Sequence, residues 1–466
     1  MATEAAIAAL IQVSGKATST RLLDAALARC NQPVDGASLA LFRILFGIVM
    51  AFAMVRLLLK GWVQELYLAP GFHFTWEWFP WVKVLPRTGM YLLVTGLALL
   101  ALGMAFGWRY RLCAILFFFG FTYLELIDQT TYLNHYYLVS LLSGLLIFLP
   151  ASAVWSWETR GHAVPPVPVW TVWLLRFQLG AVYFFAGLAK LNADWLLEAQ
   201  PMRIWLAARS DLPIIGEFLA QTWVAYAASW TGALYDLTIP LWLLWSRSRP
   251  WAYLAVIAFH IMTSVLFNIG MFPWIMLVAT LVFFPPEPLK AVVAMLNQCI
   301  RGSQAPPVLD SAIKPPAYRL KAWSFIMLAV YAALQVALPL RSYYYPQQGA
   351  WDGRGFNFGW RVMLVEKTGY VEFYAFNPDT GKRERLGMDH LIMPRQRVMM
   401  AQDPGMIAQL ARRLAEDFPT MGKSGWEVRA DAWATLNGRP SQRLIRPDVN
   451  LAGPLPTGWI VPLRED

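Results

Sequence analysis

The chain has 466 residues, 57% of them apolar and 15% aromatic, with a net charge of +10. So much apolar surface, with a mean hydropathy of +0.43, excludes a soluble domain of this length and indicates a polytopic membrane protein. The positive charge falls largely between apolar stretches and forms no basic stripe with interleaved aromatics, which argues against a nucleic-acid partner.

Residues 1–37 lack a basic region followed by an apolar run, so they read as a cytoplasmic segment and not as a secretory signal. A bilayer core needs ~20 apolar residues per helix. Windows of that kind occur near 38–59, 90–107, 112–127, 133–150, 168–190, 221–245, 250–268, 270–284 and 319–340, which predicts about nine spans, with 270–284 re-entrant as the alternative. Prolines cluster between windows, as helix ends require. With the N-terminus inside, Arg109, Arg111, Arg160, Arg247, Arg249 and the basic 285–321 segment are cytoplasmic. The outer loops 60–89 and 190–220 carry some basic residues, so the positive-inside rule holds in part; it places the C-terminal region outside.

From residue 341 the pattern changes. Apolar and polar residues alternate on either side of Asn377-Pro378-Asp379-Thr380-Gly381, which predicts a β-hairpin. Asp403-Pro404-Gly405 opens a segment with helical spacing, and two further strands flank Asn437-Gly438, a tight-turn signal. The expected fold is therefore a polytopic α-helical membrane protein, with a multi-span domain at 38–340 and a small α+β extramembrane domain at 341–466.

Ionisable residues at membrane depth are costly, and each is a functional candidate. They are Arg43, Glu125, His135, Arg176, Lys190, Asp236 and His260. Lys190 ends an apolar helix in "FFAGLAKLNADWL", with Asn192, Asp194 and Trp195 directly behind it. It is either a side chain snorkelling to the headgroups or a base held where water is scarce. His135, among tyrosines at the outer start of the fourth window, is either an interfacial belt residue or a second base on the same membrane face. Arg43 reads as a topology anchor, and Arg176 and Asp236 as partners for buried polar groups. Cys30, Cys113 and Cys299 form no metal spacing or disulfide framework, and the five histidines form no metal motif, so no metal is expected.

Three blocks, "NHYYLVSLL" at 134–142, "VYFFAGLAKLNADW" at 182–195 and "AFHIMTSVLFNIGMFPW" at 258–274, resemble the vitamin K-dependent γ-glutamyl carboxylase family and its bacterial relatives with an HTTM membrane domain. "FGWRVMLVEKTG" at 358–369, "LNGRPSQRLIRPDVNLA" at 436–452 and "WIVPL" at 459–463 continue the resemblance in the same order. It implies an enzyme that oxygenates reduced vitamin K (phylloquinol or menaquinol) with O2 to the epoxide. That reaction is coupled to γ-carboxylation of glutamate in a protein or peptide by CO2. Lys190 matches the family's base, and His135 is expected to join it in catalysis. Asn134, His260, Trp195, Arg176 and Asp194 are expected to bind quinone or substrate. The implied partners are a lipid quinone and a glutamate-containing peptide, and the implied location is a bacterial inner membrane with the C-terminal domain periplasmic. Ser342 stands where the family often has histidine, Gly359 and Val362 depart from its next block, and no cysteine lies in 60–89 or after Cys299. The alternatives are a quinol epoxidase without protein carboxylation and, from another class, a non-catalytic membrane receptor or transporter.

Overall fold

A computed structural model of the chain describes residues 23–160, 162, 166–301, 318–345 and 349–464. Most of the expected cytoplasmic segment, and residues 302–317 of the expected inner loop, lie outside them. Each apolar window contains a helix: α1 (Ala37–Leu59), α2 (Arg87–Phe106), α3 (Tyr110–Leu126), α4 (Asn134–Phe148), α5 (Val169–Ala189), α6 (Thr222–Leu244), α7 (Arg249–Leu266) and α8 (Phe272–Thr280). After α9 (Pro286–Arg301), which no window predicted, α10 (Ala322–Leu340) accounts for the last of them.

The expected count of about nine spans is not confirmed. Five helices among the described residues are long and apolar enough to cross a bilayer: α1, α2, α5, α7 and α10 with its continuation to Tyr344. The number becomes six if Phe272–Phe283 and Pro286–Val292, bent by 118°, count as one span. Helices α3 and α4 have 17 and 15 residues, short of the ~20 that a ~30 Å hydrocarbon core requires. Helix α6 has the length, at 23 residues, but carries Ser229, Thr231, Asp236 and Pro240.

Two-residue strands β1 (Pro33–Val34) and β2 (Val167–Pro168) pair antiparallel and tie the start of α1 to the start of α5. Arg43 is fully buried and donates to the carbonyls of Met104 (3.1 Å) and Trp155 (2.6 Å). Expected as a topology anchor, it is an internal clasp on the end of α2. Gly107 closes α2 with φ +65°, and a Cβ there would sit 2.1 Å from Arg43 Nη1. The position thus needs glycine for both its backbone and the space.

The C-terminal domain, expected to lie outside, holds a four-stranded antiparallel sheet in the order β4-β3-β5-β6, from β3 (Lys367–Phe376), β4 (Arg383–Leu386), β5 (Glu427–Leu436) and β6 (Gln442–Arg443). Strands β3 and β4 form the expected hairpin, and β3 pairs with β5 from Lys367↔Leu436 to Phe376↔Glu427. Buried and half-buried residues alternate along β5, as one covered face demands. Val371, Phe373, Val428 and Ala430 pack against Ile407, Leu410 and Leu414 of α12 (Pro404–Ala415), which Asp403 caps by accepting from Met406 N at 2.9 Å. A preceding helix, α11 (Pro394–Met400), carried no clear periodic signal.

The outer loop after α1 belongs to this domain as much as to the membrane helices. Phe74 is fully buried in the core of this domain, Phe72 N donates to Leu391 O at 2.8 Å, and Phe72 O accepts from Gln396 Nε2 at 2.9 Å.

Within the outer domain, Lys367 is enclosed beside Trp351, donating to the carbonyls of Trp351 and Gln402. Burial pulls its ammonium down to about 8, against the opposing effect of Asp403 and Asp352. Between about pH 8 and 10.5 the unfolded lysine still holds a proton that the folded one has lost. Folding stability contributed by this group therefore rises with pH across that window. Lys367→Met should flatten that rise, by on the order of 2 kcal/mol, in denaturant titrations of the full chain at pH 7.5 and 10 followed by tryptophan fluorescence.

Candidate active site

Helix α5 carries "AGLAK" at its outer end. Lys190 is the C-cap residue, where a cation meets the negative end of the helix dipole. Its side chain does not snorkel. It is 5% exposed, and Nζ donates to Asp236 Oδ2 of α6 at 2.8 Å and to Ala186 O at 3.3 Å. Gly187, three residues earlier, allows this pairing. A Cβ at Gly187 would lie 2.7 Å from Leu237 N and 3.0 Å from the Asp236 carbonyl carbon. Only a glycine lets α6 approach closely enough to bring its aspartate to the lysine.

The polar residues behind Lys190 have separate tasks. Asn192 caps a short helical turn by accepting from Trp195 N at 3.0 Å. Trp195 is buried, donates Nε1 to Ser229 O at 2.7 Å, and holds its ring 5.2 Å from Lys190 Nζ. Asp194 faces the outer domain, accepting from Arg439 at 2.8 and 2.6 Å and from Asn437 Nδ2 at 2.7 Å. Partial burial raises this carboxyl, but Arg439 and Asn437 outweigh it and hold it below its usual range. Asp194 is a clamp between membrane helices and outer domain, and the cavity does not include it.

That cavity, of about 330 Å³, is walled mostly by apolar residues of α5, α6 and α7. Lys190, Asp236 and Trp195 form one polar end. His260 and Tyr183 supply a second polar pair, with 3.1 Å between His260 Nε2 and the tyrosine hydroxyl. His260 is 1% exposed, and its Nδ1 has no hydrogen-bond partner among the described residues. Val362 and Met363, from the segment leading into the outer domain, close the top. Met363 has φ +50°, and nearby Trp360 and Phe358 have +55° and +59°, left-handed values that cost energy in residues with a Cβ.

The other expected residues lie elsewhere. His135 lines a separate cavity of about 30 Å³. Phe272 stands between the two histidines, its ring centroid 6.1 Å from His135 and 5.7 Å from His260, and it also lines the larger cavity. Asn134 and His135, expected to act with Lys190, thus do not line the cavity that holds it. Asn134 Nδ2 donates to Arg361 O at 3.4 Å, and its Oδ1 accepts from the Tyr132 hydroxyl at 3.2 Å, so it helps seat the 358–361 segment. Arg176 donates to the carbonyls of Val282 and Phe283 at 3.0 and 3.3 Å. It lies fourteen residues before Lys190 on the same helix, about 20 Å along its axis, and is an interhelical strut. Tyr183 and Thr263 line the cavity but gave no sequence signal, since single Tyr and Thr residues are common in spans.

Fold and site together define a membrane-embedded protein with a buried lysine–aspartate pair at the polar end of an apolar cavity, next to an α+β C-terminal domain. Residues 31–287 match the HTTM domain, and residues 320–466 match the lumenal domain of vitamin K-dependent gamma-carboxylase. The chain belongs to the vitamin K-dependent γ-carboxylase family. No solved structure matches it.

Family membership implies vitamin K hydroquinone, O2 and CO2. The cavity fits the first of these. It lies in the 300–1,000 Å³ range of small-molecule sites, with apolar walls and few polar groups, and the buried Nδ1 of His260 lacks a partner that a ring oxygen could supply. Among the described residues no group of three or more His, Cys, Asp or Glu is placed to hold a metal ion.

Proposed function

We propose that this protein is a γ-glutamyl carboxylase-type enzyme that couples oxygenation of a reduced naphthoquinone to carboxylation of glutamate in a protein or peptide. The observation that carries the reading is the Lys190–Asp236 pair, sealed at the end of an apolar cavity that reaches the outer domain through Val362 and Met363. Reduced vitamin K, when bound, supplies oxidation by O2 to the 2,3-epoxide and the proton-abstracting power that opens a glutamate γ-carbon to CO2.

The chain's own residues handle the first proton. Lys190 Nζ accepts a hydroxyl proton from the substrate once its existing proton has passed to Asp236 Oδ2. Transfer within the ion pair leaves a neutral amine beside a neutral acid, a form that an apolar enclosure brings within reach. His260, steadied by Tyr183, hydrogen-bonds a ring oxygen. Trp195 and Phe272 keep out water that would quench a strong base. The apolar walls facing lipid suit a quinone tail, and the outer cap suits an aqueous peptide. On this reading the cap faces the periplasm of a bacterial inner membrane.

The test is incubation of purified protein with reduced vitamin K, labelled bicarbonate and a glutamate peptide, scoring epoxide and fixed label separately. Both should form. Epoxide without fixed label would support the quinol epoxidase reading, and neither product would sink the enzyme. In the same assay His135→Ala should lower kcat by roughly tenfold with KM changed little, because the imidazole lies outside the Lys190 cavity, behind Phe272, and acts on the reaction from there. A rise in KM alone would assign it to uniform binding.

A further inference from the structure

Glu125, on α3, is 5% exposed. Its Oε2 accepts from Ser140 Oγ of α4 at 2.7 Å, while its Oε1 is buried with no hydrogen-bond partner among the described residues. A buried carboxyl with one oxygen unserved is costly unless something else occupies the site. That carboxyl lines the 30 Å³ cavity together with His135, Arg56, Tyr67 and Tyr136. The volume is enough for one or two waters, and a cavity with several polar groups holds water where an apolar one stays dry.

We propose that this cavity is a proton site, in which one or two water molecules join Glu125 Oε1 to the imidazole of His135. A proton leaves the imidazolium N–H, crosses the water and forms an O–H bond on the carboxylate. The charged pair becomes a neutral imidazole and a neutral acid, with no other reactant consumed. The titratable and charged groups facing the pair are Arg56 from the last turn of α1, Tyr67 from the following segment, Tyr136 and Tyr137 on α4, and Tyr132 just before it. Across the cavity α8 and the residue before it contribute Ile275 and Met271, which do not ionise. His135 reaches the larger cavity only across Phe272. With the Phe272 ring turned aside to open that path, Glu125 acts through His135 as a relay, drawing protons away from the reaction cavity. That catalytic use rests on the function proposed above; the proton site itself does not.

The test begins with infrared difference spectra of the ligand-free full chain in lipid, recorded across pH. Glu125→Gln keeps the side-chain volume and an acceptor for Ser140, so its melting temperature should match wild type. A protonated-carboxyl band should vanish in Glu125→Gln. In His135→Ala its titration midpoint should move by about one pH unit or more, as for directly interacting groups. A band that titrates identically with and without the imidazole, or no band assignable to Glu125, would overturn the proposal. In turnover, Glu125→Gln should lower kcat roughly tenfold with quinol KM unchanged, and Glu125→Asp should restore part of it. Equal kcat in Glu125→Gln and wild type would also overturn the relay. The infrared measurement uses no quinol, so its outcome is separate from whether the chain carboxylates.

Discussion

Lys190→Ala should abolish epoxide formation and, in the same variant, destabilise the membrane domain. The first effect follows from losing the proton acceptor. The second follows from Asp236, whose carboxylate sits 2.8 Å from Nζ with 8% of its side chain exposed. Removing one member of a buried ion pair strands the other, at a cost of about 3–5 kcal/mol. Read from sequence alone, the substitution removes a base and adds no buried charge; the contact with Asp236 reverses the second half of that expectation. The double variant Lys190→Met/Asp236→Asn removes both charges and keeps the volume. It should regain most of the lost thermal stability while remaining inactive by a factor of 10³ or more. Thermal unfolding in detergent and quinol turnover on the same samples measure the two effects. Near wild-type turnover in the stable double variant would show that Lys190 is a structural cation.

Much of the architecture was legible because its signals are local. Apolar windows became helices, Asn437-Gly438 became a turn with φ +50° and +80°, and alternation in "EVRADAWATL" became β5. The number of spans was not, because an apolar run of 15 to 17 residues and a full-length span look alike until the helix ends are placed. Lys190 and Asp236 both stood out as ionisable residues at membrane depth. Their pairing did not, since they are 46 residues apart and the feature that joins them is the missing Cβ of Gly187. The split between the His135 and Lys190 cavities was equally hidden. Topology puts both residues at one membrane face but says nothing about lateral position, and Phe272 reaches its place between the histidines after the break at Gly270, where φ is +63°. Asp194, beside the lysine in sequence, points instead to Arg439, a partner 245 residues away.

The sharpest test of the lysine–aspartate pair as one unit is a double-mutant cycle. Asp236→Asn keeps Lys190, its bond to Ala186 O and its position over Trp195, but removes the group that takes the Nζ proton. Asparagine can accept a hydrogen bond from Nζ and cannot accept the proton. A lysine that still binds yet cannot hand its proton onward should lower kcat by about 10²–10⁴-fold, the range of a general acid or base, with quinol KM within a few-fold of wild type. Two residues acting independently would multiply their losses in the double variant. Two residues forming one proton-transfer unit would not, because once either is gone the other has nothing to do. The Lys190→Met/Asp236→Asn enzyme should therefore be no slower than Lys190→Met alone. Losses that multiply across the cycle would mean that Asp236 acts on its own, for instance by placing the substrate, and the proton path drawn through its carboxylate would have to be abandoned.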